Sequence, residues 1–193
     1  MDEPYLIKQA QTGDVNAFNT LVLHYQDIAF SVAYRIMGDP DRAADATQDA
    51  FINAYKKLSL FRGGNFKAWL LRVVTNRCYD LLKASKRRPQ SSLEELTEEG
   101  DSPRWIADEG AARPEKAQMQ RETAEAIQRC LNNLPDDQRI VTVLCDVEGY
   151  DYATAAEMAQ TSLGTVKSRL NRARKKLREC LRGIGELLPS KYR

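Results

Sequence analysis

Apolar residues recur at spacings of three and four along most of the chain, the signature of amphipathic helices, and no long alternating run predicts a strand. Phe18, Leu21, Val22, Tyr25, Ile28, Ala29, Val32 and Ile36 form one stripe, entered near Gly13-Asp14 and stopped at Gly38. Asp39 and Pro40 then open a second helix as N-cap and first helical residue, continued by Thr47, Ala50, Phe51, Ala54 and Leu58. After a break at Gly63-Gly64, a third helix is predicted from Phe66 to Ser85 on Phe66, Leu70, Val73, Val74, Arg77 and Leu81. Periodicity disappears between Pro89 and Pro114, where prolines, paired serines and an acidic run predict a flexible linker. Within it, Trp105-Ile106 is a candidate docking point. The helical pattern resumes at Glu115. Ala124, Ile127, Leu131 and Leu134 share one face up to Pro135, and Ile140, Val141, Leu144 and Val147 make a further helix closed by Gly149.

The expected fold is therefore all-α, with two small helical domains, 1–88 and 116–193, joined by an acidic linker, 89–115. Charge sharpens this division. Net charge is −3 over residues 1–61, +7 over 62–88, −6 over 89–115 and +4 over 116–193, which together give the overall +2. Two basic regions separated by an acidic one are expected where two surfaces meet polyanions.

The second basic region has a readable form. Ala155, Ala156, Met158 and Ala159 give a short helix its small apolar side, Gln160-Thr161-Ser162 makes a turn with a capping hydroxyl, and a longer helix follows. That longer helix opens with "LGTVKSRLNRARKKL", Leu163 to Leu177, which holds six basic residues and no acid. Val166, Leu170, Ala173, Leu177 and Leu181 set its core stripe, so Lys167, Ser168, Asn171 and Arg172 point elsewhere. These lie in the first turns, the part of a recognition helix that reaches base edges, where Arg pairs with guanine and Asn with adenine. Arg174, Lys175 and Arg178 lie farther along and suit phosphates.

Other chemistries are poorly represented. The single histidine, His24, sits in a helical stripe between Leu23 and Tyr25, and no phosphate-binding glycine loop, metalloprotease motif or nucleophile elbow is present. The expectation is a protein without catalytic activity or cofactor. Cys78, Cys130, Cys145 and Cys180 lack metal-ligand spacing and are expected to be reduced, mostly buried thiols. No run of apolar residues is long enough to span a membrane, and the N-terminus lacks a signal-peptide pattern, so a cytoplasmic location is expected. A stand-alone helix-turn-helix regulator is the competing function. It explains residues 150–181 and leaves the basic, aromatic stretch at 61–88 and the acidic helix at 45–49 without a role.

"GTVKSRLNRARKKL", preceded by "GYDYATAAEMA", resembles the C-terminal DNA-binding domain of a small extracytoplasmic-function (ECF) sigma factor of the sigma-70 superfamily. "DATQDAFINAYKKL" resembles the helix by which such factors dock on RNA polymerase, and "FRGGNFKAWLLRVVTNRCYDLL" the segment that reads and opens the minus-ten element. "LNNLPDDQRIVTVL" resembles the start of the second domain. The resemblance implies that Asp45, Gln48 and Asp49 meet the coiled coil of the polymerase beta-prime subunit. It implies minus-ten contacts by Arg62, Gly63, Gly64, Asn65, Arg72, Asn76, Asp80, Lys83 and Arg87. It also implies minus-thirty-five contacts by Ser162, Thr165, Lys167, Ser168, Arg169, Asn171, Arg172 and Lys175. Partners implied in the same way are core polymerase through its beta-prime and beta subunits, promoter DNA, and an anti-sigma factor. Phe66 and Trp69 fit the apolar stripe and are expected in the core. Two departures stand out: the "FRGGNF" loop is one residue shorter than the commoner form, and Gln160 and Ser162 replace Gly and Pro in the turn. Ser162 can cap, but no glycine is available there for a positive φ.

Overall fold

The computed structural model describes residues 1–87 and 114–182, and all its regular elements are helical. The Trp105-Ile106 docking point and most of the linker lie outside the described residues. The chain divides into two compact units, Met1–Leu81 and Leu82–Arg193.

The first unit holds α1 (Glu3–Gln11), α2 (Val15–Met37), α3 (Pro40–Lys57) and, as far as Leu81, α4 (Phe66–Arg87), with a short 3-10 turn at Leu58–Leu60. The starts and stops follow local chemistry. Asp14 accepts from the N–H groups of Asn16 and Ala17 to cap α2, and Gly38, at φ 76°, closes it in the left-handed region that glycine enters without strain. The Asp39 side chain accepts from the Arg42 N–H at the head of α3. Ala43, Ala46, Ala50 and Ala54 are all fully buried on α3, and this row of small side chains lets it pack closely on α2. Ala29, Val32, Ala33 and Ile36 of α2 are likewise fully buried.

The pattern did not predict α1. Its cues are an Asp2 side chain accepting from the Tyr5 N–H and a proline in its first turn. α1 docks on α2, and the Tyr25 hydroxyl donates to the Glu3 carboxylate between the two helices. Burial, reinforced by that carboxylate, pushes the Tyr25 phenol up to about 12.

In the second unit, α5 (Pro114–Asn132), α6 (Asp136–Thr142), a π turn (Val143–Val147), α7 (Tyr152–Met158) and α8 (Leu163–Arg182) are arranged with α5, α6 and α7 all packed against α8. Val166, Leu170 and Ala173 of α8 are buried, and Leu131, Leu134 and Ala173 form a cluster on which Leu177 packs.

Three expectations change here. Cys130 and Cys180 are a disulfide with Cα atoms 5.8 Å apart, not reduced thiols. Their separation of 50 residues obscured the fact that α5 packs against α8 and brings the two together. Cys78 and Cys145 are the free thiols, and burial pushes them to about 12 and about 11. Ile127 is 39% exposed, because Ala126 and Cys130 define the buried face of α5 and rotate it away from the expected stripe. Val147 is 42% exposed: it ends the π turn, whose wider winding moves it off the face set by Ile140, Val141 and Leu144.

Candidate nucleic-acid and polymerase interfaces

On α3, Asp45 and Gln48 are exposed and share a face, as their spacing requires. Asp49 is tied back into its unit: its carboxylate accepts from Nε and Nη2 of Arg77 on α4, at 2.9 and 2.5 Å. Ile52 and Tyr55 continue the exposed strip, and the Tyr55 ring packs at 4.9 Å from Phe18. The sequence reading missed both, although an isoleucine four residues after Gln48 on an otherwise polar face was the available signal.

The segment between α3 and α4 is fixed at both ends and open in the middle. Phe61 and Phe66 are buried with their rings edge to face at 5.4 Å, and Trp69 lies 5.4 Å from both. Phe66 is thus core as expected, with Trp69 half-buried beside it. Between them Arg62, Gly63, Gly64 and Asn65 are exposed, and both glycines hold φ of 95° with nothing within reach of an added Cβ. The glycines are therefore required by backbone conformation and not by crowding. Asn65 has a structural task, since its side-chain oxygen accepts from the Ala68 N–H at 3.0 Å and caps α4.

Along α4, Arg72, Asn76, Asp80, Lys83 and Arg87 fall at successive intervals of four, four, three and four and so form one stripe. Arg72, Asp80 and Lys83 are exposed and Asn76 is half-buried. The side chain of Arg87 lies outside the described residues.

In the second unit, Asp151 caps α7 by accepting from the N–H groups of Ala153 and Thr154 and from the Thr154 hydroxyl. Those bonds, the Thr154 N–H foremost, hold its carboxyl below the usual range. The turn into α8 solves its own geometric problem: Gln160 itself adopts φ 49°, while the Thr161 N–H reaches the Ala156 carbonyl at 2.9 Å. Ser162 then caps α8 through the Thr165 N–H at 3.1 Å. α7, this turn and α8 make a helix-turn-helix.

The basic residues of α8 separate into two groups. Arg169 pairs with Asp137 of α6 at 2.9 Å. Arg174, read from sequence as a phosphate contact, is held by both oxygens of Asp146 at 2.6 and 3.0 Å and by the Tyr152 hydroxyl at 3.4 Å. These two arginines brace α8 against the elements beneath it. Lys167, Ser168, Asn171, Arg172 and Lys175 remain exposed, with the Arg172 guanidinium lying along the helix toward Ser168. Thr165 is half-buried at the helix start. What is left facing outward can donate to base edges and neutralise phosphates.

Among the described residues no helix is long and apolar enough to cross a membrane. Two family models match the chain: sigma-70 region 2 over residues 21–88 and sigma-70 region 4 over residues 124–177. The chain is 35% identical over 183 residues to the RNA polymerase sigma-H factor of Pseudomonas aeruginosa, covering 93% of each. It is 34% identical over 175 residues to the ECF RNA polymerase sigma-E factor of Escherichia coli K12, covering 90% of this chain and 91% of that one. Among solved structures it is similar to the sigma factor RpoE of Bartonella quintana, crystallised with the anti-sigma factor NepR. That likeness has a TM-score of 0.65 and 28% identity, covering 87% of this chain and 98% of the other. It is also similar to CnrH in complex with the cytosolic domain of CnrY, with a TM-score of 0.61 and 25% identity over 95% of this chain and 99% of that one.

Proposed function

The chain belongs to the ECF sigma factors of the sigma-70 superfamily, and on that premise we propose how its residues divide the work of promoter-specific initiation. Residues 1–88 bind core RNA polymerase and open the minus-ten element, 89–115 link the two domains, and 116–193 read the minus-thirty-five element. Asp45 and Gln48, with Ile52 and Tyr55 beside them, form the surface for the beta-prime coiled coil, and Asp49 borders it while paired to Arg77. The Arg62-Gly63-Gly64 loop takes an unstacked base of the non-template strand, and the α4 stripe from Arg72 to Arg87 follows that strand's backbone. Lys167, Ser168, Asn171, Arg172 and Lys175 enter the major groove, while Ser162 and Thr165 position the helix start and Arg169 braces it. The observation that carries this reading is the outward face of α8, which stays exposed after Arg169 and Arg174 have been engaged by Asp137 and Asp146.

Polymerase supplies the catalysis, and the chain acts in the cytoplasm without a cofactor of its own. An anti-sigma factor covers the polymerase-binding surface, a proposal supported by the similar sigma factor crystallised with NepR.

A pair of variants tests the division. Arg172→Ala is expected to cost about 1–3 kcal/mol at one minus-thirty-five base pair and to relax preference there, with core binding unchanged. Competition binding of the reconstituted holoenzyme to promoter variants measures this, and an unchanged preference removes Arg172 from base readout. Asp45→Lys is expected to weaken core binding about tenfold or more by reversing charge on an exposed residue, with unaltered thermal unfolding. Asp45 is a cleaner probe than Asp49, because a lysine at 49 also faces the Arg77 guanidinium. Unchanged affinity for core polymerase would detach this face of α3 from the interface.

A further inference from the structure

Gln11, the last residue of α1, reaches across to the chain that leads into the Arg62-Gly63-Gly64 loop. Its Nε2 donates to two carbonyls, Leu58 at 3.0 Å and Phe61 at 2.7 Å. Two acceptors facing one amide fix its orientation, since only the NH2 side carries two hydrogens. The Leu58 carbonyl also accepts from the Phe61 N–H at 3.0 Å, closing the 3-10 turn that the glutamine clasps.

The loop is thus framed at both ends. On the entry side, Gln11 holds the Leu58 and Phe61 carbonyls while the Leu58 and Phe61 side chains are buried. On the exit side, Asn65 caps α4 and Phe66 is buried against the Phe61 ring. Between these anchors stand two glycines, which hold positive φ and, lacking a Cβ, can follow other backbone paths at low cost. A loop of that kind presents a defined shape only when its ends are held, and release of either end enlarges the set of shapes it samples.

We infer that Gln11 is a positioning residue for strand capture: its amide fixes the entry of the Arg62-Gly63-Gly64 loop so that the loop is preformed for an unstacked base. This rests on the reading of that loop given under Proposed function. Gln11 touches no DNA in this account, and it acts only through the two carbonyls it holds. Because it belongs to α1, the first helix of the chain becomes part of the melting apparatus.

The test uses the full-length protein assembled with core polymerase. Gln11→Met keeps the length and packing of the side chain but removes both donors, and Gln11→Glu keeps the shape and sets a carboxylate against two carbonyls. The probe is a short single-stranded DNA carrying the minus-ten non-template sequence of a promoter the protein uses, with a fluorescent adenine analogue that brightens on unstacking. Both variants are expected to bind it roughly five- to tenfold more weakly than wild type and to open less duplex promoter. Affinity for core polymerase and for minus-thirty-five duplex is expected to match wild type, while the thermal midpoint falls by a few degrees, as loss of two part-buried hydrogen bonds requires. Wild-type probe affinity and unstacking in both variants would overturn the inference. A parallel loss of core affinity would also overturn it, by showing a general structural role. If wild-type holoenzyme itself neither binds the strand nor unstacks the analogue, the loop's proposed role fails, and the role of Gln11 with it.

Discussion

Reducing the Cys130–Cys180 disulfide is expected to lower the unfolding free energy of the C-terminal unit by about 2–4 kcal/mol. The bond closes a loop of 50 residues that contains α6, α7 and most of α8, so the unfolded chain loses much of its freedom when the bond is present. It sits in the last turns of α8, beyond the exposed face that starts at Lys167. Reduction should therefore loosen α5 on α8 while the first turns of α8 keep the Ser162 cap and the Arg169 brace. Urea unfolding with and without reductant measures the difference, and Cys180→Ala should behave as the reduced protein does and ignore reductant. Equal stability in all three would remove the cross-link from the account, as would four alkylated cysteines in denaturant without reductant.

Asp136→Ala is expected to cost about 3 kcal/mol, because it removes a carboxylate that faces the buried Arg139 guanidinium inside the second unit. The Arg139 side chain is 7% exposed; it donates to the Asp136 carboxylate at 2.7 Å and to the Asn132 carbonyl at 3.4 Å. Desolvating a guanidinium is tolerable only while such acceptors face it. The next residue, Asp137, braces Arg169, so the same turn both satisfies a buried charge and supports the recognition helix. Chemical unfolding would show the loss, and the companion Arg139→Met should recover much of it by replacing the ion with an apolar side chain of similar length. An undiminished midpoint for Asp136→Ala would contradict the assignment of Arg139 as a buried, paired ion.

The helices could be read from the sequence because their ends carry chemistry that acts within a few residues. Asp39-Pro40, Gly38 and Ser162 each do their work locally, and each stands where the pattern placed it. α1 was missed because nine residues offer little periodicity, and its cap at Asp2 lies before any recognisable stripe. Ile127 was misplaced because the face that buries α5 is set by Ala126 and Cys130, small residues that weigh little in an apolar pattern.

The candidate sites show the same boundary between local and distant information. Spacing alone grouped Asp45 with Gln48, and Lys167 and Ser168 with Asn171 and Arg172. What spacing could not supply was which charges are already paired. Asp49 meets Arg77, Arg174 meets Asp146, and Arg169 meets Asp137, each across a gap that only the packing of helices closes. Gln11 was invisible for the same reason, since its two carbonyl partners lie 47 and 50 residues away. Gln160 is a different case: the turn needs a positive φ, no glycine is present, and the chain adopts φ 49° at a glutamine.

Transcription in vitro shows whether this chain directs polymerase to specific promoters. Core RNA polymerase is supplied with a pool of promoter fragments, with and without the full-length protein, and the new transcripts are mapped. Starts are expected that appear only with the protein and share a minus-ten and a minus-thirty-five sequence, with the second preference relaxed by Arg172→Ala. No protein-dependent starts, together with tight sequence-specific binding of DNA by the free protein, would contradict that role and favour a regulator that works without polymerase.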